Sequence, residues 1–265
     1  MQIDVQFSAA VDEWAAIRDG VLLAEERGFD TTWVFDHFAG EMLGGATMLE
    51  CFTLLGALAS VTNRIGLGSL VVNAANRLPS VMAQSAATVQ MISGGRFVLG
   101  LGAGAAPGSR WSSEHEALGI PLCATMADRH AVLERTLDEL ERWWDPNRPG
   151  ELATFALPTP RPPVIIGVNS VGLAHLAGRR CDGINVRGNH DRLGELLAAA
   201  ELGRQGAGRH NVPWDCSVWA SWDDGLLDAD HPDRRRWSAL GVTRLVLVFL
   251  TRADHASIDR ACPNG

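Results

Sequence analysis

The sequence contains no lysine and no tyrosine, and all 23 of its basic residues are arginine. The missing lysine excludes Schiff-base chemistry, which removes pyridoxal phosphate enzymes and class I aldolases from consideration. The missing tyrosine excludes a tyrosine general acid of the short-chain dehydrogenase type. Both absences narrow the classes of enzyme to which the chain can belong.

Cysteine is also scarce, and the five cysteines stand at positions 51, 123, 181, 216 and 262 with no Cys-x-x-Cys pair. We therefore expect neither a disulfide framework nor a cysteine zinc site, and interpret these side chains as buried, inert thiols. The histidines lack the spacing of metal ligands, so we expect no bound metal.

Long apolar runs are missing, because none approaches the roughly 18 residues that a membrane span requires. Asp4 interrupts the apolar start of the chain, which argues against a secretory leader. We therefore expect a cytoplasmic protein without a membrane partner. The net charge of −8 opposes nucleic-acid binding, and we interpret the basic run at Arg234, Arg235 and Arg236 as a solvated helix face.

Strand and helix patterns alternate along the whole chain. The predicted strands cover residues 3–7, 31–35, 65–72, 97–101, 164–168, 182–186, 216–222 and 243–250. Eight such units in 265 residues match the roughly 250 residues of a (β/α)8 TIM barrel. We predict an α/β fold of this type, with residues 1–265 forming one domain. A doubly wound open sheet is the alternative, since the seventh strand has a poor pattern.

The most informative stretch is 62–104, which reads as strand, loop, helix, tight Gly-Gly turn, strand and glycine-rich loop. Pro79 suits the first turn of the helix, where no backbone N–H is needed. Residues 102–108 have almost no side chains, so a flat ligand can lie against the backbone there. This loop follows the end of a strand, where parallel α/β folds place their sites.

Polar residues at the predicted strand ends define a candidate ligand pocket. They are Gln6, Ser8, Asp36, His37, Asn73, Asn169, Ser170, Asn185 and Arg187. His37 is the best acid–base candidate because histidine titrates near neutrality. His115, between Glu114 and Glu116, we interpret as surface charge rather than as a catalytic or metal-related group. Residues 167–170 before a helix form a plausible phosphate cradle.

At these residues the chain resembles the luciferase-like monooxygenase superfamily, and within it the branch that uses the deazaflavin coenzyme F420. The matching segments are GFDTTWVFDHF (28–38), the stretch 62–104, EHEALGIP (114–121) with the following helix that carries Arg129 and Glu134, and PPVIIGVNSVGLAHLAGRRCDGINV (162–186). The C-terminal quarter matches only in outline and is shorter than usual. The resemblance implies a (β/α)8 barrel with the cofactor at the carboxyl face of its strands.

By position, the resemblance implies cofactor contacts at Asp36, Leu70, Val71, Asn73, Ala103, Gly104, Gly167, Val168 and Ser170, and a catalytic role for His37. It also implies a bulge with a non-prolyl cis peptide at Leu70–Val71. Related sugar-phosphate dehydrogenases carry a glutamate where this chain has Ala105, so the second proton-transfer group is open, with Glu41 and Glu116 as candidates. The missing lysines make a sugar-phosphate substrate improbable.

The function implied is that of an F420-dependent oxidoreductase, which transfers a hydride between the deazaflavin C5 and a small organic substrate. Two alternatives stay open on the same scaffold: an FMN-dependent monooxygenase, and a non-catalytic barrel that binds a cofactor. Relatives are often dimers, so we expect a homodimer.

Overall fold

The computed structural model describes residues 1–11, 13–261 and 263. Its central feature is a closed barrel of parallel strands in sequential order, with β8 returning to β1. The strands are β1 (Gln2–Phe7), β2 (Thr31–Val34), β3 (Gly66–Asn73), β4 (Phe97–Gly102), β5 (Val164–Gly167), β6 (Gly183–Arg187), β7 (Asp215–Ser221) and β8 (Arg244–Val248). The predicted TIM barrel is confirmed, and the open sheet is excluded by the β1–β8 pairing.

Helices surround the barrel. They are α1 (Trp14–Arg27), α2 (Cys51–Val61), α3 (Pro79–Ile92), α4 (Ser113–Leu118), α5 (Met126–Trp144), α6 (Val171–Arg180), α7 (Leu193–Gly206), α8 (Pro232–Ala239) and α9 (His255–Arg260). Two of them, α4 and α5, lie between β4 and β5, so this connection is the longest excursion over the carboxyl face. In the described residues, no helix is long and apolar enough to cross a membrane.

The strands are apolar on both faces because both faces are covered. Outward side chains pack against the helices in one large apolar cluster. A smaller cluster, built on Trp33, Leu70, Ile165, Val246 and Val248, fills the barrel interior. Leu70 and Val248 of this cluster lie towards the carboxyl end, where they border an open cavity.

Local signals placed most helix ends correctly. Pro79 occupies the first turn of α3, and Ser170 is the N-cap of α6, where its hydroxyl accepts the Leu173 amide. The spacing of Thr47 and Glu50 in the sequence predicts a capping box, which the structure does not form. Glu50 is itself the N-cap of α2 and accepts the Thr53 amide, whereas Thr47 donates its hydroxyl to a carbonyl oxygen of the preceding loop.

The thiols follow the expectation for three positions. Cys51, Cys181 and Cys216 are buried and free, whereas Cys123 is half-buried. Burial raises the pKa of Cys181 and of Cys216 to about 12, so both stay protonated at neutral pH. Cys262 lies outside the described residues.

A charged cluster lies at the amino end of the barrel. Arg244 donates to both carboxylate oxygens of Asp4, at 2.9 and 2.7 Å, and to Asp215 at 2.8 Å. The indole of Trp33 also donates to Asp4, at 2.6 Å. Because Asp4 is fully buried, its charge depends on these donors, and the cluster ties β1, β2, β7 and β8 together.

We expect Arg244→Met to lower the free energy of unfolding by about 3–5 kcal/mol, because it leaves the Asp4 carboxyl buried without its charged partner. Urea denaturation measures the change. The control is Arg142→Met, which breaks ion pairs with Glu139 and Glu151 that are largely exposed and costs no more than about 1 kcal/mol. Equal effects of the two substitutions would contradict this account of the barrel base.

Candidate active site

A cavity of about 690 Å³ opens at the carboxyl ends of the strands. Nine of the ten residues that the resemblance assigns line it, namely Asp36, His37, Leu70, Val71, Asn73, Ala103, Gly104, Gly167 and Val168. Of the other polar residues predicted at strand ends, Gln6, Asn169, Asn185 and Arg187 also line it and Ser8 does not. Ser170 does not line it: its hydroxyl caps α6, 3.4 Å from the Leu173 amide. The neighbouring Asn169 reaches the cavity instead. All the residues that the resemblance assigns to the cofactor site therefore line one cavity, except Ser170.

A bulge in β3 forms one wall. The pairing of β3 with β4 shifts register between Ser69 and Val72, and the Leu70–Val71 peptide is cis, as the resemblance implied. The side-chain amide of Gln6 donates to the Leu70 carbonyl at 2.6 Å. This bond holds the bulge against β1.

Glycines make room for the bulge. A Cβ added at Gly102 would lie 2.7 Å from Cγ2 of Val71, and one added at Gly167 would lie 3.0 Å from Cγ1. Larger residues at these positions would collide with Val71. Gly104 has a φ of 85° and faces the Asn73 side chain, a conformation that glycine adopts without cost. The wall is therefore flat and poor in side chains.

The carboxylate of Asp36 is buried and fully engaged with protein donors. Both Arg77 guanidinium nitrogens bind it, at 2.8 and 2.7 Å, and the Asn73 amide and Asn76 side chain add bonds of 3.1 and 3.0 Å. Arg77 lies over the ring of Phe38, 5.3 Å from its centroid. Asp36 therefore fixes the end of β2 to the loop after β3.

His115 is a correction to the sequence analysis. It is not a surface charge, since only 1% of the residue is exposed. Its Nε2 lies 2.8 Å from the Asn76 Oδ1 and 2.9 Å from the Asn73 Nδ2, and its Nδ1 lies 3.2 Å from the Trp111 carbonyl oxygen. His115 therefore anchors α4 to the Asp36 cluster.

The neighbouring Glu114 reaches the predicted catalytic histidine. Its Oε1 lies 2.8 Å from Nδ1 of His37, and its Oε2 accepts the amides of Phe38 and Ala39 at 2.7 and 3.1 Å. Burial pushes the pKa of Glu114 upwards, but the His37 bond and the two amide bonds outweigh it and leave that pKa below the ordinary glutamate value. Glu114 is therefore an ionised carboxylate that accepts a hydrogen bond from the protonated Nδ1 of His37.

The structure does not bring the expected carboxylate candidates to the cavity. Glu41 and Glu116 are exposed, and neither lines the cavity. Glu116 falls on the outer side of α4, one residue beyond the buried His115. In the sequence, Glu114 stands out only as a neighbour of His115, and no local spacing links position 114 to position 37.

The His37 ring is held on a second side by an aromatic residue. Trp111 stacks on it, with ring centroids 4.9 Å apart and an angle of 26° between the planes. Among the described residues, Nε2 of His37 has no protein hydrogen-bond partner. The imidazole therefore has a fixed plane, a fixed tautomer and one ring nitrogen left for a ligand.

The cavity fits a tricyclic flavin or deazaflavin. Its volume lies within the range of about 300–1,000 Å³ that is common for cofactor sites. The flat glycine wall accepts a planar ring. A larger residue at Gly102 or Gly167 would press on the Val71 side chain and so disturb this wall. Leu70, Val71, Ala103 and Gly104 would contact the ring, and 167–169 would lie beside a phosphate.

A family model described as luciferase-like monooxygenase matches residues 1–221. The chain belongs to this family. Its curated relatives include the 5,10-methylenetetrahydromethanopterin reductase of Methanolobus tindarius, which is 28% identical over 86% of this chain and 65% of its own length. The F420-dependent glucose-6-phosphate dehydrogenase of Microbacterium testaceum is 30% identical over 84% of this chain and 68% of its own length. The matches thus span about two thirds of these relatives.

Solved structures agree on the fold. An F420-dependent secondary alcohol dehydrogenase in complex with an F420-acetone adduct superposes with a TM-score of 0.77 at 16% identity, covering 98% of this chain and 97% of that one. The F420-dependent tetrahydromethanopterin reductase from Methanopyrus kandleri gives a TM-score of 0.74, also at 16% identity, over 97% and 96% of the two chains. At these identities the likeness extends to the luciferase-like barrel alone.

The state of Glu114 gives a pH prediction. An acid whose pKa is lowered by folding stabilises the protein above its unfolded pKa, and this contribution disappears as the pH falls through the folded pKa. We expect Glu114→Gln to lower the melting temperature near neutral pH, with a difference from the unmodified chain that shrinks below the ordinary glutamate pKa of 4.5. Circular dichroism melts across this range measure it.

Glu116→Gln is the matched control, since it removes the same charge two residues further along α4, on the exposed side of the helix. We expect it to change the melting temperature little at either pH. A Glu114→Gln effect that is absent at neutral pH, or that grows on acidification, would contradict the carboxylate assignment.

Proposed function

We propose that the chain is an F420-dependent oxidoreductase that transfers a hydride between the deazaflavin and a small organic substrate. The observation that carries the proposal is the His37–Glu114 pair, held at the mouth of a flat, glycine-walled cavity of the right size. The names of the related reductase and dehydrogenases point to the same chemistry.

The cofactor, when bound, supplies the hydride chemistry at C5 of its ring. The protein's part in this proposal begins with binding. The Leu70–Val71 bulge and the Ala103–Gly104 backbone would support the ring on one face. The Gly167–Asn169 backbone would lie beside the phosphate, at the point where α6 begins and its first-turn amides favour an anion. The Val168 amide itself already donates to the Asn185 carbonyl oxygen at 2.9 Å.

His37 handles the proton that accompanies hydride transfer. Glu114 accepts the hydrogen bond from Nδ1 and so fixes the tautomer, in the manner of a carboxylate that orients a catalytic imidazole. Nε2 then gives its proton to the substrate oxygen or nitrogen, or takes one from it, according to the direction of reaction. The Trp111 ring keeps the imidazole plane constant during this exchange.

Apolar side chains around His37 define the substrate space. Phe35, Trp111, Val248 and Leu250 line the same cavity and would exclude water from the reacting atoms. We propose a small, uncharged substrate such as a ketone, an alcohol, an enone or an imine, since these groups exchange a hydride and a proton together.

We further propose that residues 1–265 act as one unit, as a homodimer in the cytoplasm. The support for a dimer is a set of exposed apolar side chains at the two ends of α3. Leu78, the N-cap residue, is 70% exposed, and Val81, Met91 and Ile92 are 50%, 59% and 51% exposed. Apolar patches of this kind are typical of protein interfaces. The family resemblance favours a second copy of the chain as the partner.

Cofactor preference is the first test. We expect F420 to bind with a Kd of about 1 µM or tighter, which corresponds to about −8 kcal/mol, and FMN to bind much more weakly. Titration followed by deazaflavin fluorescence and flavin absorbance measures both constants. Tight FMN binding with no F420 binding would overturn the proposal in favour of a monooxygenase.

Catalysis is tested by His37→Ala. We expect its kcat for F420H2 oxidation by a panel of enones and imines to fall at least about 100-fold, because the positioned proton donor is lost. Its Kd for F420 should stay within about threefold of the original value, since the ring contacts are unchanged. His175→Ala, an exposed position on α6 away from the cavity, is the control. Unchanged turnover in His37→Ala would contradict the proton-transfer role of His37. No turnover by the unmodified chain or by either variant would favour a non-catalytic barrel.

A further inference from the structure

The outer rim of the cavity carries an unusual set of basic side chains. Arg129 and His130 come from the first turns of α5, and Arg187 and His190 come from the end of β6 and the loop after it. The helix α5 leads into β5, and β6 pairs with β5. The four side chains therefore flank the β5–α6 loop on both sides, and they are called the basic rim below.

The two rim arginines have no carboxylate partner among the described residues. Arg129 donates through Nη1 to the carbonyl oxygens of Cys123 and Ala124, at 3.2 and 3.3 Å. Arg187 stacks over the indole of Trp219, 5.2 Å from the ring centroid. Stacking of this kind orients a guanidinium while leaving its N–H groups available.

The rest of the cavity does not neutralise this charge. Within the described part of the chain, the acidic side chains that line the cavity are Asp36 and Glu114. Asp36 is paired with Arg77 and Glu114 with His37. The two rim arginines therefore have no acidic partner in the cavity lining, although the net charge of the whole chain is −8.

We propose that the basic rim binds the carboxylates of the γ-glutamyl tail of F420, beyond the phosphate held by the β5–α6 loop. This inference rests on the proposed function and extends it to the source of cofactor selectivity. Exposed guanidinium groups with free N–H donors are the side chains best suited to carboxylates.

The chemistry of the two candidate cofactors explains why the rim matters. FMN ends at a single phosphate, which one helix start and its loop can bind. F420 continues from its phosphodiester through a lactyl group to a chain of glutamates, each with a carboxylate. The Arg129 and Arg187 guanidinium groups, arranged outside the phosphate cradle, have a ligand in F420 and none in FMN.

The test compares F420 with the tail-less deazaflavin riboside, which has the same ring and no anionic groups. Fluorescence titration gives both dissociation constants without any turnover. We expect Arg129→Gln and Arg187→Gln each to weaken F420 binding about three- to fivefold, the size of one exposed charge pair, with no change for the riboside. Raising the salt from about 0.05 M to about 0.5 M should weaken only F420 binding, because these charges are exposed to screening.

Arg179→Gln is the matched control. It removes the same charge from the exposed last turn of α6, away from the cavity, and should leave both constants unchanged. If both ligands bind the unmodified chain equally well and the rim substitutions change neither constant, the tail assignment is overturned while the proposed function stands. If the substitutions change only the KM of an anionic substrate, the tail assignment is likewise overturned and the proposed function likewise stands. If neither ligand binds, the proposed function itself fails.

Discussion

The buried carboxylate of Asp36 is the constraint on which the active site depends. It draws Arg77, the Asn76 side chain and the Asn73 amide around the end of β2. Asn73 and Asn76 then present their side chains to His115, which holds α4 over the cavity. One continuous set of hydrogen bonds therefore determines where the β4–β5 excursion lies.

This network explains why His37 has a partner at all. Glu114 precedes His115 on α4, so the anchoring of His115 places the Glu114 carboxylate against Nδ1 of His37. Trp111, whose carbonyl oxygen contacts His115, brings its ring onto the imidazole. The histidine is thus oriented by residues that begin more than seventy positions later, and buried polar networks of this type fix one geometry because each member needs its partners.

The barrel separates stability from chemistry along its axis. At the amino end, Arg244 pairs with Asp4 and Asp215 and interior side chains fill the space. At the carboxyl end, glycines in β4 and β5 leave room for the β3 bulge and a flat wall. In TIM barrels the carboxyl end of the strands usually carries the active site, and the amino end serves stability.

The strands and helices of the barrel could be predicted from the sequence, because alternating patterns and helix caps depend on neighbouring residues. The start of α3 at Pro79 is confirmed, and Val71 lines the cavity. Polar partnerships between distant segments were not predictable. Nothing near position 37 indicates Glu114, and the Asp36–Arg77 pair requires the ends of β2 and β3 to meet. His115 was misread because its charged neighbours suggested an exposed helix, whereas the two asparagines bury it.

The most direct test of the account is a crystal structure of the chain soaked with F420. The account predicts the deazaflavin ring against the Leu70–Val71 bulge, with Nε2 of His37 facing the side of the ring that carries C5 and the His37–Glu114 bond intact. A ring bound elsewhere, a cavity that F420 does not enter, or a His37 turned away from C5 would contradict it.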